Sequence, residues 1–411
     1  MHWPPPRVQP SKHPATLNTA KHTLISNRTH EVSIDALLAG RIAAGDFPSA
    51  VYLVAERERV AFANALGDAV REPVRHAATV ETIYDLASLT KPLVTGLLCA
   101  RRVERGELEM DRAVASYLPE FAPEGDKASI TLRHLLTHTS GLPAWQPLRF
   151  TSHNRRERAL ATIAATALSY PTGSRVVYSD LGFITLGLLL EKISGAPLDE
   201  LAQSEIFQPL QLQRTFFRPE QAYLTGVAAC ELSGNAYERG MCEAEGQAES
   251  AGAAGAWREE LIWGEVHDGN AYFLGGAAGH AGLFSNAHET FRLAEQFIAR
   301  RTQLLAPETC ELFRTNLTPD LNEARSFAWQ LAATPDSTAG DALAPDCFGH
   351  LGFTGTSCWI DALRERVFIL LTNRTHTRTL PFVNINGVRR RFHTLAVHAL
   401  GDAGSFVNHP Q

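Results

Sequence analysis

Two pairs of apolar runs at opposite ends of a 411-residue chain constrain its fold more than any other feature. Near the start, residues 50–55 (AVYLVA) and 60–66 (VAFANAL) are separated by the polar Glu56-Arg57-Glu58-Arg59. Near the end, residues 356–362 (TSCWIDA) and 367–372 (VFILLT) flank a short turn over 363–366. Short runs rich in β-branched and aromatic residues, bounded by polar turns, read as antiparallel hairpins. The chain between them has helical spacing over 91–105, 131–138, 157–169, 181–194, 199–206 and 287–300. A helix over 32–44 precedes the first hairpin, and one over 388–400 follows the last. Strand signals at both ends of a helical middle predict an α+β fold, with one antiparallel sheet assembled from N- and C-terminal segments, flanking helices and an inserted, mainly helical lobe. The expected division is a flexible leader over 1–30, a single domain over 31–400 and a tail over 401–411. Within that domain the α/β lobe takes about 31–85 and 265–400, and the helical lobe about 86–264. The Gly-, Ala- and Glu-rich stretch 230–260 reads as an irregular loop. A cleft between lobes is the usual place for a site.

Charge and cysteine usage narrow the function classes. A net charge of −6 leaves no basic surplus to attract a phosphate backbone, so no nucleic-acid partner is expected. No uncharged apolar stretch reaches eighteen residues, so no membrane span is expected. The cysteines, at 99, 230, 242, 310, 347 and 358, form no C-x-x-C pair and no dense framework. Together with a leader that has no apolar core, they predict reduced thiols and a cytoplasmic protein.

The stretch DLASLTKPLVTG, residues 85–96, points to chemistry. Ser88 and Lys91 are i and i+3, and on a helix their side chains share one face. A serine hydroxyl is a poor nucleophile unless a base or a cation acts on it, and a lysine at this spacing can be either. The alternative is a surface lysine beside a capping Asp85 or Ser88. This Ser-x-x-Lys is the sole one in a chain with few lysines. Tyr178 and Asp180, at the start of the apolar 181–194 helix, offer a second proton carrier, because a nearby cation favours the phenolate. A buried tyrosine at a helix start capped by Asp180 is the structural alternative. The run His350-Leu351-Gly352-Phe353-Thr354-Gly355-Thr356-Ser357 leads into a strand, and glycines there allow close approach of a ligand or another backbone. Its N–H groups and that of Ser88 could then face a developing oxyanion.

Ser-x-x-Lys, Tyr-x-Asp and His-x-Gly in this order resemble the serine β-lactamase and penicillin-binding protein superfamily, in particular its class C-like branch of AmpC-type β-lactamases, D-Ala-D-Ala carboxypeptidases and β-lactamase-fold esterases. Residues 47–50 (FPSA), 130–142 (ITLRHLLTHTSGL), 178–187 (YSDLGFITLG) and 275–285 (GGAAGHAGLFS) are further landmarks, so the likeness covers about residues 33–400. The resemblance implies Ser88 as the acylated nucleophile, Lys91 as its proton partner and Tyr178 as the acid/base. Either Lys91 or Tyr178 takes the serine proton. Asp180, His350 and Gly352 would line the substrate, and the N–H groups of Ser88 and Phe353 would form the oxyanion hole.

Two departures bear on substrate. Asp180 stands where many members have an asparagine that can donate an N–H. Leu351 stands where a threonine hydroxyl is usual, beside a histidine in place of a lysine, which favours an uncharged ester or amide unless Thr354 or Thr356 substitutes. His134 and His138, or His267 with Asp268 and His280, could suggest a metal, yet no H-E-x-x-H motif is present and no metal or other cofactor is expected. The expected function is that of a metal-independent serine hydrolase acting through an acyl-enzyme on a small-molecule ester, amide or β-lactam. A D-Ala-D-Ala carboxypeptidase or class C β-lactamase proper is the alternative, and a catalytically idle binding module on the same fold is the second.

Overall fold

Strand β1 (Ser49–Glu56) is buried over all but its last residue, as the AVYLVA run requires. Its side chains alternate between two cores, with Ala50, Tyr52 and Val54 on one face and Val51, Leu53 and Ala55 on the other. A strand covered on both faces has no polar side to show, so its sequence reads as continuous rather than alternating. The computed structural model describes residues 33–121, 125–244 and 257–401, and in it β1 lies near the centre of a seven-stranded antiparallel sheet.

The order is β3-β2-β1-β10-β9-β8-β7, with β2 (Arg59–Val70), β3 (His76–Ala77), β7 (Gln330–Leu331), β8 (Phe348–Leu351), β9 (Ser357–Asp361) and β10 (Arg366–Thr372). Both expected hairpins form, and the ends of the chain meet where β1 pairs with β10, Val51 opposite Leu371 and Leu53 opposite Ile369. A helix over 33–43 and the closing helix Asn386–Ala399 cover one face through Ile34, Leu38, Phe392 and Ala396. The other face packs on the helix Ala287–Ala294 and the central helical segments. The α+β architecture expected from the sequence is the one observed.

A smaller sheet, β4-β6-β5 (Tyr84–Asp85, Leu283–Ser285, Phe216–Phe217), braces the chain just before Ser88. It is tied to the large sheet by Tyr84, whose hydroxyl is 2.8 Å from Ser49 Oγ, while Ser49 Oγ donates to Asn373 Oδ1 at 2.7 Å.

Several expectations change in detail. The expected helix 91–105 opens as a wide π-helical segment, Lys91–Gly96, before the α-helix Leu97–Glu104. Such widened turns collect at functional positions. The stretch expected to be irregular carries a helix, Ala236–Ala244; residues 245–256 of it lie outside the described residues, as do the leader to residue 32 and the tail from 402. That helix was hidden by glycine and alanine in a segment without a long apolar stripe. Among the described residues, no single helix is long and apolar enough to cross a membrane.

In β8, a Cβ added to Gly349 would run into the Trp359 indole on the neighbouring strand. Gly349→Ala is therefore expected to destabilise the protein by about 1–3 kcal/mol, the usual cost of overpacking a core. Urea unfolding checks this, and an unchanged midpoint would show that the two strands separate freely at that point.

Candidate active site

Ser88 sits on a strained turn. Ala87, immediately before it, has φ of 47°, a left-handed conformation that costs a non-glycine residue free energy. Asp85 supports the turn from below: one carboxylate oxygen accepts from Ala87 N–H at 2.8 Å and the other from His267 N–H at 2.7 Å. The turn thereby presents Ser88 at the head of the Lys91–Gly96 segment, on the wall of a cavity of about 460 Å³.

Lys91 has no solvent exposure, and its ammonium is satisfied on three sides. Nζ donates to Ser88 Oγ at 2.9 Å and to the His280 carbonyl at 3.1 Å, and is 2.7 Å from Asp180 Oδ1. Burial pulls the lysine pKa down, but Asp180 and Tyr178 outweigh it and leave the pKa above its ordinary value. Lys91 therefore rests as a cation pointed at the serine oxygen.

Asp180 is the first residue of the helix Asp180–Ser194, whose N-cap, Ser179, accepts from Gly182 N–H. The sequence reading placed the cap at Asp180; Ser179 fills that position and frees the aspartate for the lysine. Tyr178 lies just ahead, half-buried on the cavity wall, with its ring centre 4.8 Å from Lys91 Nζ. The expectation of a lowered phenol pKa is corrected: burial raises it, and the hydrogen bonds and charge from Lys91 and the hydrogen bond from Ser88 only partly offset that rise. Tyr178 thus rests as a neutral phenol able to donate a proton. His138 packs on its ring at 4.5 Å and accepts from Ser179 N–H, which fixes the orientation of the segment.

The His350–Ser357 turn approaches from the large sheet. Thr354 Oγ1 donates to the Asp85 carbonyl at 2.7 Å and Thr356 Oγ1 to the Leu86 carbonyl at 3.0 Å. Both hydroxyls are thereby engaged, so neither replaces the threonine absent at Leu351. Gly352 makes this approach possible, since a Cβ there would strike the Leu86 carbonyl and Thr356 Oγ1. Its carbonyl and that of Thr356 accept from Arg389 at 2.7 and 2.9 Å. The Phe353 N–H is not taken up by the backbone hydrogen bonds of the described residues, and Ser88 N–H lies in a first turn where such donors have no partner within the helix. His350 lines the same cavity, with Nδ1 2.9 Å from the Leu351 carbonyl.

The sequence matches the family model described as Beta-lactamase over residues 34–386. The chain belongs to the Beta-lactamase family. A protein of Escherichia coli (strain K12), provisionally named a D-alanyl-D-alanine carboxypeptidase, is 29% identical over 90% of this chain and 88% of its own. The N-acetylmuramyl-L-alanine amidase of Bacillus subtilis (strain 168) is 31% identical over 84% and 81% respectively. Among solved structures, EstCE1, a hydrolase with promiscuous acyltransferase activity, has the same fold at a TM-score of 0.69 and 23% identity, covering 92% of this chain and 99% of that one. This Beta-lactamase-family protein is a serine hydrolase, and its substrate is a small molecule.

All seven residues singled out from the sequence, Ser88, Lys91, Tyr178, Asp180, His350, Gly352 and Phe353, gather around one cavity or its floor. Of the metal-suggestive residues, His267 and Asp268 line the cavity, and His280 and Asp268 do meet. His134 interacts with Thr131 at its helix start, His267 pairs with Glu231 at 2.9 Å, and His280 with Asp268 at 2.8 Å. Sequence reasoning missed the wall formed by Tyr237, Glu238 and Met241 of the unforeseen helix, and by Arg374 and Arg389. No carboxylate is paired with either arginine among the described residues, and burial together with Arg374 pulls the Arg389 pKa down to about 9. The Asn386 and Arg389 spacing on a closing helix was the available signal for that corner. Glu238 is pushed up to about 8, chiefly by burial and then by Asp268.

Burial, then the charges of Lys91 and Arg325, hold the His350 pKa well below 6.5. Between that depressed value and 6.5 the unfolded chain binds a proton that the folded protein does not, so this histidine's contribution to stability is complete above 6.5 and is lost as pH falls. Relative to His350→Gln, the wild-type protein is expected to lose stability at a slope approaching about 1.4 kcal/mol per pH unit below pH 6.5. Unfolding of both proteins at several pH values checks this; a constant difference would mean that His350 titrates normally in the fold.

Proposed function

We propose that this protein cleaves the acyl bond of a small, carboxylate-bearing amide or ester through a covalent intermediate on Ser88, with no metal in the reaction. The observation that carries this reading is the Lys91 ammonium donating to Ser88 Oγ at 2.9 Å within the cavity. Attack of Oγ on the substrate carbonyl needs the serine proton removed and the resulting charges held. Lys91 stabilises the oxygen as it loses its proton. The Ser88 and Phe353 N–H groups receive the carbonyl oxygen as it becomes negative. Tyr178 gives its phenol proton to the leaving atom and takes the serine proton in its place while Lys91 holds the developing charge, the bond to the leaving atom breaks, and the acyl group stays on Ser88. Water then attacks the ester, with the same pair moving protons in reverse, and releases the acid.

Arg374 and Arg389 alter the preference drawn from Leu351 and His350. The sequence alone favoured an uncharged substrate, whereas two arginines without carboxylate partners among the described residues put positive charge on one side of the cavity and suit an anionic group. The names of both curated relatives describe amide cleavage, which supports the amide within this class. An idle binding module is disfavoured by the cost of keeping an ammonium fully buried beside the serine.

Ser88→Ala is expected to lower turnover by at least about a thousandfold with thermal unfolding retained, and to abolish any acyl adduct in intact-protein mass spectrometry. A folded Ser88→Ala protein that still turns over substrate would rule out the acyl-enzyme. Arg374→Met should raise KM for a carboxylate-bearing substrate by roughly tenfold, more than for its neutral counterpart, consistent with losing one charge-assisted contact. Equal effects on both would remove the arginine from carboxylate recognition.

A further inference from the structure

The hydrogen-bond capacity of His350 is divided unequally. Nδ1 lies 2.9 Å from the carbonyl of Leu351, an acceptor with no proton, so Nδ1 carries the hydrogen and Nε2 is left as a bare lone pair. The residue is 4% exposed, and Nε2 has no partner among the described residues. A buried polar atom without a partner is costly in a finished structure, and in a cavity wall it is a vacancy for a ligand. The ring sits 5.8 Å from that of Tyr178, on the side of the cavity where the proton-donating phenol meets the leaving atom. Leu351 offers no polar atom beside it, and Asp180, an acceptor as well, is committed to Lys91. Arg325 lines the same cavity with its guanidinium on Glu323, so it is Nε2 of His350 that asks the substrate for a donor.

We propose that His350 Nε2 accepts the N–H of the scissile amide and so makes this enzyme selective for secondary amides over esters and N-substituted amides. This deepens the acyl-enzyme reading and rests on it. In the tetrahedral intermediate the leaving nitrogen carries one hydrogen, its substituent, the bond to carbon and a lone pair. Holding the hydrogen on Nε2 turns the lone pair away from the histidine, where it can take the Tyr178 proton. The C–N bond then breaks with its electrons going to nitrogen, the amine leaves as a neutral primary amine carrying its original hydrogen and the added one, and Ser88 keeps the acyl group. An ester oxygen has no hydrogen to offer and sets its lone pairs against that of Nε2. An N-methyl amide sets a methyl group there.

The test uses one acyl group on three leaving groups: 4-aminobenzoate, 4-(methylamino)benzoate and 4-hydroxybenzoate. For each, kcat/KM is measured with the wild-type protein, His350→Leu and His350→Gln. In the wild-type protein N-methylation is expected to cost at least about tenfold. The ratio of secondary amide to ester turnover should fall by about the same factor in His350→Leu and recover in part in His350→Gln, whose amide oxygen can accept. A ratio that stays within about twofold across the variants overturns the proposal, as does a wild-type protein that cleaves the ester and never the secondary amide. If His350→Leu does not fold, the wild-type N-methyl comparison and the His350→Gln ratio decide. Turnover that survives Ser88→Ala would overturn the acyl-enzyme itself, which separates the two failures.

Discussion

An ammonium group with no access to water has to be balanced where it sits, and at Lys91 that balance organises three separate parts of the chain. Desolvation of a lone cation would cost several kcal/mol. Here the helix start at Asp180 supplies the counter-charge, the Gly-rich turn at His280 supplies a carbonyl, and Ser88 supplies a hydroxyl. Losing the Asp180 carboxylate would leave a buried charge uncompensated. The same contacts hold Ser88, Lys91 and Tyr178 in register, so the requirement that stabilises the interior also arranges the proposed chemistry.

The remainder of the site is brought to this centre by packing. The small sheet and Asp85 hold the Ser88 turn in a strained conformation, and the Thr354 and Thr356 hydroxyls fasten the end of β8 against it. Gly352 permits the close contact, and Arg389 secures its far side. Strain at Ala87 persists because the surroundings over-determine it, as is usual where a fold fixes a reacting group. The Nε2 of His350, without a partner among the described residues, belongs to the wall of the same cavity.

Much of this architecture was legible in one dimension. The runs at 50–55 and 367–372 are apolar without alternation because both faces of β1 and β10 are buried, and that signal survives without knowledge of partners. Ser88 and Lys91 were legible because three residues is a helical neighbour spacing, and the Tyr178 and Asp180 pair because it opens an apolar helix. The helix Ala236–Ala244 was not legible, since its short turns carry few apolar residues and derive their order from packing around the cavity. Leu351 and His350 read as a loss of positive charge because Arg374 and Arg389 lie in segments whose sequence gives no distance to the serine.

By itself the sequence determined the α+β arrangement and the pairing of Ser88 with Lys91, because hydrophobic periodicity and helical spacing are local properties. Tertiary structure alone decided the protonation of the site and the charges that line it. The charge state of Lys91, the raised pKa of Tyr178, the tautomer of His350 and the positive charge on one side of the cavity all depend on burial and on neighbours far along the chain. Coulombic and desolvation energies follow distance in space, which the order of residues does not contain.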